Sequence, residues 1–192
     1  MDNLKDILEL IHDAEKLKYT YRHCWLSNGR REDTAGHIWR VSLMAVLLHS
    51  ELKEKIDLQK VLEMIIIHDL VEIHHGDTPA WKSQYGNVFE GEKKALIKLT
   101  KKLPRNLKKG ILNLWIEFET CKTKEARFAR ALDKIEGLIQ HNEANIKTWT
   151  KKEWQFNLTY AQEFNGDNNV IRKLRGLVLK ESIKKMSSAK KT

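Results

Sequence analysis

Apolar residues recur at every third or fourth position along most of this chain, which is the spacing of an α-helix that buries one face. Strand-like alternation of apolar and polar residues is not sustained anywhere, and the 192 residues include only two prolines. The pattern predicts an all-α, single-domain helical bundle over residues 1–186, followed by a basic flexible tail over 187–192. About six to seven helices are expected, over 3–17, 35–52, 58–75, 89–102, 105–119, 124–148 and 168–186.

Some boundaries of these helices are marked by capping residues, whereas two segments have no clear period. Asp57 and Thr123 precede predicted helices and can accept hydrogen bonds from the first turn. Residues 19–32 are predicted to form a loop with a turn at Ser27-Asn-Gly. The aromatic-rich segment 149–164 fits either a loop folded over the core or part of an oligomer contact.

Two adjacent polar residues, His68 and Asp69, interrupt an apolar run in the predicted helix over 58–75. The run is hydrophobic nearly all round, which is typical of a helix buried inside a protein. A buried imidazole and carboxylate are costly unless they are paired or bind a cation. Glu72 lies one turn further on the same side of a continuous helix, and is therefore the candidate to hold a metal-bound water.

Two more candidate ligands, His37 and Asp133, lie on other predicted helices. His37 falls on the buried stripe of its helix, and Asp133 shares a face with small residues such as Gly137. Taken singly, His37 fits a satisfied core histidine and Asp133 a solvated helix residue. Taken with His68 and Asp69, they indicate a metal-dependent hydrolase.

The ligand set suits one divalent cation. Two imidazoles and two carboxylates fit Mn, Co, Zn, Fe, Ni or Mg, and the sequence does not choose among them. No histidine occurs from Gly76 through Leu132 to serve a second ion, so one metal is expected.

Charge and cysteine content bear on partners and location. The net charge is +9, but the basic residues concentrate in Lys98–Lys109 and in Lys184–Thr192. Such runs are usually solvated faces, and they can raise encounter rates with anionic substrates. Cys24 and Cys121 are too few for a disulfide framework. No signal peptide or membrane-length apolar stretch is found, so we expect a soluble cytoplasmic protein.

A larger set of motifs gives the chain a family resemblance. They are Arg22-His-Cys-Trp25, Glu32-Asp-Thr-Ala-Gly-His37-Ile-Trp-Arg40, His68-Asp-Leu-Val-Glu72-Ile-His-His-Gly-Asp77-Thr-Pro, Leu114-Trp-Ile-Glu117-Phe-Glu and Ala131-Leu-Asp-Lys-Ile-Glu136. Together they span about residues 20 to 145. The chain resembles the HD-domain metal-dependent phosphohydrolase superfamily and, within it, the YfbR-like 5′-deoxynucleotidase group.

The resemblance implies a role for each candidate residue. His37, His68, Asp69 and Asp133 would be the metal ligands, Glu72 and Asp77 would be catalytic, and Arg22, Trp25 and Asp77 would bind the substrate. From the residues alone, capping of the Gly76-Asp-Thr-Pro turn and binding of a substrate hydroxyl both remain open for Asp77. An arginine can clamp a phosphate, and a tryptophan can cover a sugar or base.

The expected function is that of a 5′-nucleotidase that releases phosphate from (deoxy)nucleoside 5′-monophosphates through attack of a metal-bound water. Two alternatives stay open: an HD-type phosphohydrolase acting on a cyclic, dinucleotide or polyphosphate substrate, and a non-catalytic metal-binding nucleic-acid or scaffold protein. The expected partners are a small-molecule nucleotide and a second copy of the chain, with nucleic acid disfavoured and no membrane.

Overall fold

The computed structural model of the chain describes residues 2–77 and 88–189. The described part is helical apart from one short hairpin, which confirms the predicted all-α class. In chain order the elements are α1 Asp2–Ala14, β1 Tyr21–Trp25, β2 Arg31–Asp33, α2 Thr34–His49, α3 Leu58–His68, α4 Glu72–His75, α5 Val88–Leu99, α6 Arg105–Thr120, α7 Lys124–Glu143, α8 Lys151–Thr159 and α9 Asn169–Ala189.

Helix α7 lies at the centre of the fold and packs against α2, α3, α6 and α9. Small residues on its surface, Ala126, Ala129 and Ala131, are fully buried and let neighbouring helices approach closely. Leu132 and Ile135 complete the apolar contact with the main core. Asp133 therefore lies on the helix whose position is fixed by the most neighbours.

A second apolar cluster holds the chain on the other side of α3. Trp115 of α6 and Leu96 of α5 are fully buried there, beside Leu70 and Val71. Burial of large apolar side chains contributes roughly 1.5–3 kcal/mol each. This cluster therefore anchors the segment that directly follows His68.

The predicted helix over 58–75 is wrong as a continuous helix. It begins as expected after Asp57, whose side chain accepts a hydrogen bond from Lys60 N at 3.1 Å. The chain then tightens into a 3₁₀ turn over Asp69–Val71 before α4. A 3₁₀ turn has three residues per turn rather than 3.6, so directions beyond His68 no longer follow α-helical spacing.

Two further elements were not predicted. Within the predicted loop over 19–32, strands β1 and β2 pair antiparallel, with Tyr21 opposite Asp33 and Trp25 opposite Arg31. These strands have five and three residues, too few for an alternating pattern to stand out. Within 149–164, α8 follows a capping box between Thr150 and Glu153, a local signal that could have located it.

Smaller differences affect the ends of other helices. Helix α2 stops at His49 rather than at residue 52, and α9 continues through Ala189, three residues into the predicted tail. Residues 190–192 lie outside the described residues, as do Thr78 and Pro79 of the motif that follows α4. No helix in the described ranges combines the length and apolar content needed to cross a bilayer.

Candidate metal centre and the adjoining cavity

Four side chains from separate elements meet in the interior, and together they are called the metal centre. His37 comes from the start of α2, His68 from the end of α3, Asp69 from the 3₁₀ turn and Asp133 from the middle of α7. The distance from His37 Nε2 to Asp133 Oδ1 is 3.0 Å, and His68 Nε2 lies 3.9 Å from the same oxygen. Ligand atoms of His37, His68 and Asp69 all lie within 4.8 Å of one another.

Two atoms of the metal centre are buried without a hydrogen-bond partner among the described residues: His68 Nε2 and Asp69 Oδ2. A buried polar atom left without a partner costs about 1–3 kcal/mol. His68 Nδ1 lies 2.7 Å from the carbonyl oxygen of Ile65, and donation there leaves a lone pair on Nε2 for a cation. The donor set and its unpaired atoms therefore fit a divalent metal ion, and these residues could hold one.

The charges around the centre favour a cation. Burial lowers the pKa of His37, but the carboxylates of Glu136 and Asp133 outweigh it and raise that pKa to about 10. Burial opposes ionisation of Asp133, but its hydrogen bond to His37 and the nearby imidazole of His68 hold the pKa of this carboxyl group well below the usual range. The pKa of His68 is raised in the same way by Asp69 and Asp133, against the effect of burial. Positive charge is thus stabilised here, and a metal would compete with protons for the imidazoles.

Glu136, which the sequence analysis did not single out as a site residue, supports the metal centre from behind. Its carboxylate pairs with His37 Nδ1, and both side chains are fully buried. Arg40 Nε donates to the other oxygen of Glu136 at 2.7 Å. A carboxylate behind a ligating imidazole fixes the orientation and tautomer of the ring. One feature of the sequence could have identified Glu136: it lies three residues after Asp133, one turn further along the same predicted helix.

Glu72 is placed beside the centre despite the break in the helix. Thr34 Oγ1 donates to Glu72 Oε2 at 2.7 Å. Burial, and then the negative charges of Asp69 and Asp77, raise the pKa of Glu72 to about 8, against the opposing charge of Arg22. The site therefore contains a carboxyl group that can exchange a proton near neutral pH.

Arg22 and Asp77 also lie at the centre. Arg22 Nη1 is 3.8 Å from both Asp69 Oδ2 and Asp77 Oδ1, and Arg22 Nε lies 3.2 Å from Glu32 Oε2. Asp77 Oδ2 accepts a hydrogen bond from the backbone N–H of His23 at 3.0 Å, which ties the segment after α4 to strand β1. The guanidinium is therefore held by carboxylates within reach of the metal centre.

A small cavity, the α7–α8 cavity, opens beside Asp133. Its volume is about 60 Å³, and it is enclosed by β1, α7, α8 and the start of the segment after α4. Arg22 and Asp77 lie at the end near the metal centre. Trp25 is not among the residues that line it: the ring of Trp25 packs under the guanidinium of Arg31, 5.5 Å from its centroid. The residues of this strand that line the cavity are Arg22, His23 and Cys24.

The wall farther from the metal centre is a polar network around His141. Asn157 Nδ2 lies 3.1 Å from His141 Nδ1, and Glu153 Oε1 lies 3.4 Å from His141 Nε2. The same Glu153 oxygen is 2.7 Å from His23 Nε2. Burial outweighs the attraction of Glu153 and lowers the pKa of His141 to about 4. The imidazole of His141 is therefore neutral at pH 7.

The chain is similar to several known proteins. A family model described as HD domain matches residues 14–174. The 5′-deoxynucleotidase HDDC2 of Dictyostelium discoideum is 33% identical over 145 residues, which cover 71% of this chain and 76% of that protein. The protein of the same name from Danio rerio is 31% identical over 146 residues, covering 74% and 70%. The crystal structure of a predicted metal-dependent phosphohydrolase from Magnetospirillum magnetotacticum MS-1 superposes with a TM-score of 0.81 at 28% identity, covering 96% and 97% of the two chains.

Replacement of Glu136 tests its support of the metal centre. We expect Glu136→Gln to weaken binding of Mn or Co by roughly 10–100-fold, because His37 loses its buried anionic partner. The measurement is calorimetric titration of metal into metal-free protein. Glu143→Gln is the matched control, since Glu143 also pairs with Arg40, at 2.6 Å, and lies farther along α7. Wild-type affinity in Glu136→Gln, or an equal loss in both variants, would contradict this role.

The neutral state of His141 predicts a pH dependence of stability. Its folded-state pKa lies below the ordinary 6.5, so the unfolded chain binds more protons between about pH 6.5 and 4. The stabilisation is complete above that window and is lost as the pH falls through it, by up to about 1.4 kcal/mol per pH unit. Chemical denaturation of metal-free protein should show a steeper loss for the wild type than for His141→Gln, in which Glu153, His23, Arg22 and Glu136 still surround the position. Parallel curves for the two proteins would show that His141 is not held neutral.

Proposed function

We propose that this chain, which belongs to the HD domain family, is a metal-dependent 5′-nucleotidase that releases phosphate from (deoxy)nucleoside 5′-monophosphates. The observation that carries the proposal is the convergence of His37, His68, Asp69 and Asp133 around unpaired buried atoms, beside one arginine and one proton-exchanging carboxyl group. Relatives at 31–33% identity are named 5′-deoxynucleotidases, which favours nucleoside monophosphates over other phosphate esters.

The four side chains of the metal centre would hold one divalent cation. When bound, such an ion lowers the pKa of water and polarises the phosphoryl group. The donor set admits Mn, Co, Zn, Fe, Ni or Mg. The two carboxylates suit Mn, and the two imidazoles suit a softer ion such as Co, so Mn and Co are the first metals to supply in an assay.

Glu72 would carry the proton. It takes a proton from the attacking water as the new phosphorus–oxygen bond forms. The bond between phosphorus and the 5′-oxygen breaks, and the same carboxyl group returns the proton to that oxygen. Burial and the neighbouring carboxylates keep the pKa of Glu72 near 8, close to the pH at which both transfers must occur. Thr34 orients the carboxyl group through its hydrogen bond.

Arg22 would pair with the phosphate, and Asp77 would hold Arg22 and strand β1 in place. The guanidinium is surrounded by Glu32, Asp69 and Asp77 at 3.2–3.8 Å, which leaves its charge next to the metal centre. Positioning and electrostatic stabilisation dominate phosphoryl transfer, so little other chemistry is required of the protein. The backbone hydrogen bond of Asp77 supports a positioning role first, with substrate contact as a second role.

Replacement of Glu72 tests the catalytic assignment. We expect Glu72→Gln and Glu72→Ala to lower turnover of deoxynucleoside 5′-monophosphates by about 10²–10⁴-fold, because neither can accept the proton. Inorganic phosphate release is measured with Mn or Co added, alongside metal content. Glu51→Ala is the control, since Glu51 is exposed in the turn that follows α2. Wild-type turnover in Glu72→Gln would rule out the role of Glu72, and pyrophosphate release from triphosphates without monophosphate cleavage would refute the substrate class.

We also propose that the protein forms a homodimer through the outer face of α2. Trp39, Leu43, Val46 and Leu47 are 40–65% exposed there and form one stripe at helical spacing, facing away from His37. An exposed apolar stripe of this kind commonly marks an interface. The stripe is uncharged, so two copies of this basic chain can meet on it without bringing like charges together.

A charge in this stripe should separate the copies. We expect sedimentation velocity to show a dimer for the wild type and a monomer for the double variant Leu43→Glu, Leu47→Glu. Leu177→Glu is the control, because Leu177 is a similarly exposed leucine on α9. A wild-type monomer, or a double variant that remains dimeric, would refute this interface.

Domain organisation and location complete the proposal. We propose that residues 1–186 form one HD domain, since the family model matches 14–174. A cytoplasmic location is supported by Cys24 and Cys121, which are both free cysteines, as is usual in a reducing compartment.

A further inference from the structure

We propose that Glu32 is a positioning residue that orients the guanidinium of Arg22 toward the phosphate of the substrate. The inference rests on the proposed function, because it assumes that Arg22 pairs with that phosphate. It gives a role to a buried carboxyl group that takes no part in the proton transfers assigned to Glu72.

The hairpin brings Arg22 and Glu32 together. Tyr21 of β1 stands opposite Asp33 of β2, and the two strands run antiparallel. Arg22 and Glu32 are the next residues along each strand, and residues that face each other across such a pair project to the same side of the sheet. Glu32 is the only buried residue of β2, and its Oε2 atom accepts a hydrogen bond from Arg22 Nε at 3.2 Å. The hairpin therefore places a buried carboxylate directly beside the arginine.

This contact is the one hydrogen bond that the Arg22 guanidinium makes to the described residues. Arg22 Nη1 lies 3.8 Å from both Asp69 Oδ2 and Asp77 Oδ1, which is too far for a hydrogen bond. A guanidinium is planar, so a bond at Nε also constrains the direction of the two Nη groups. Those groups remain available to a phosphate, which arginine binds best through two parallel N–H donors.

The carboxylates of Asp69 and Asp77 compete with a phosphate for the arginine. Both approach Nη1 rather than Nε. Asp69 Oδ2 is also buried without a hydrogen-bond partner among the described residues, so it would gain from a closer approach of Arg22. An arginine that closed this gap would use on a proposed metal ligand the donors that a phosphate needs. The hydrogen bond from Nε to Glu32 opposes that movement.

Glu32 in turn depends mainly on Arg22. Its other oxygen, Oε1, lies 3.9 Å from Arg40 Nη2, and the Arg40 guanidinium donates instead to Glu136 and Glu143. Burial, and then the negative charge of Glu136, raise the pKa of Glu32 to about 7, and the positive charge of Arg22 opposes this rise. The hydrogen bond to Arg22 is therefore the principal contact of this carboxylate, and the two side chains act as a pair.

Substitution of Glu32 tests its effect on phosphate binding. A hydrogen bond to a charged group is worth roughly 10–100-fold in an equilibrium constant, so we expect Glu32→Ala to weaken binding of inorganic phosphate by about tenfold or more. KM for deoxynucleoside 5′-monophosphates should rise in parallel, with a smaller change in kcat. Glu32→Gln keeps the shape of the side chain and an oxygen that can accept from Arg22, so its loss should be smaller. Phosphate binding is measured by calorimetric titration into Mn-loaded protein.

A double-variant cycle shows whether Glu32 acts through Arg22. Once Arg22 is removed, Glu32 has no guanidinium to orient, so Arg22→Ala and the double variant Arg22→Ala, Glu32→Ala should bind phosphate equally. The affinity for Mn should be unchanged in Glu32→Ala and in Glu32→Gln. Glu143→Ala is the matched control, because Glu143 pairs with Arg40, at 2.6 Å, rather than with Arg22. That variant should keep the phosphate affinity of the wild type.

Weaker phosphate binding in Glu32→Ala, a partial return in Glu32→Gln and no added loss in the double variant support the positioning role. Unchanged phosphate binding in both Glu32 variants overturns it and leaves the proposed function intact. A parallel loss of Mn affinity also overturns it, because Glu32 would then act on the metal centre. An added loss in the double variant overturns it as well, since Glu32 would then act independently of Arg22. A wild-type protein that binds phosphate but releases none from any nucleotide overturns the proposed function, and phosphate binding by the variants still decides the role of Glu32.

Discussion

The need of the metal centre for a cation is the constraint on which the rest of this structure depends. His68 Nε2 and Asp69 Oδ2 lie in the interior without hydrogen-bond partners among the described residues, which costs about 1–3 kcal/mol for each atom. The helices around them nevertheless hold this arrangement, with Asp133 between the two imidazoles. A divalent ion held by these residues would remove this cost, because it would pair with both unpartnered atoms. Metal binding and the stability of this region should therefore be coupled.

A network of alternating charges extends from the metal centre to the surface. Glu136 stands behind His37, Arg40 bridges Glu136 to the exposed end of α7, and Glu32 lies between Arg40 and the guanidinium of Arg22. Each charge in this network has an opposite neighbour, which is the condition under which buried charges are tolerated. The same arrangement fixes a metal ligand and the candidate phosphate-binding arginine in one frame. Their separation is therefore set by the protein before any substrate arrives.

Helix α7 joins the structural and chemical parts of the molecule. One side supplies the small and branched apolar residues of the main core, which fix its position against four other helices. The other side carries Asp133, Gly137 and His141 along the metal centre and the α7–α8 cavity. A helix held this firmly places a ligand, an open turn and a neutral imidazole at defined intervals. The 3₁₀ turn over Asp69–Val71 likewise holds Asp69 at a defined position, because the second apolar cluster anchors this turn.

Local information in the sequence was sufficient for the helical class, for most helix positions and for the choice of His37, His68, Asp69 and Asp133 as residues that belong together. Helical period and the identity of polar residues on apolar faces are properties of short segments, so they can be read without the fold. The hairpin, the break after His68, the partnership of Glu136 with His37 and the cavity beside Gly137 were decided by tertiary structure. Each of these depends on contacts between segments of the chain. The periodicity of one segment does not determine how far that segment lies from another, so these features could not be predicted from it.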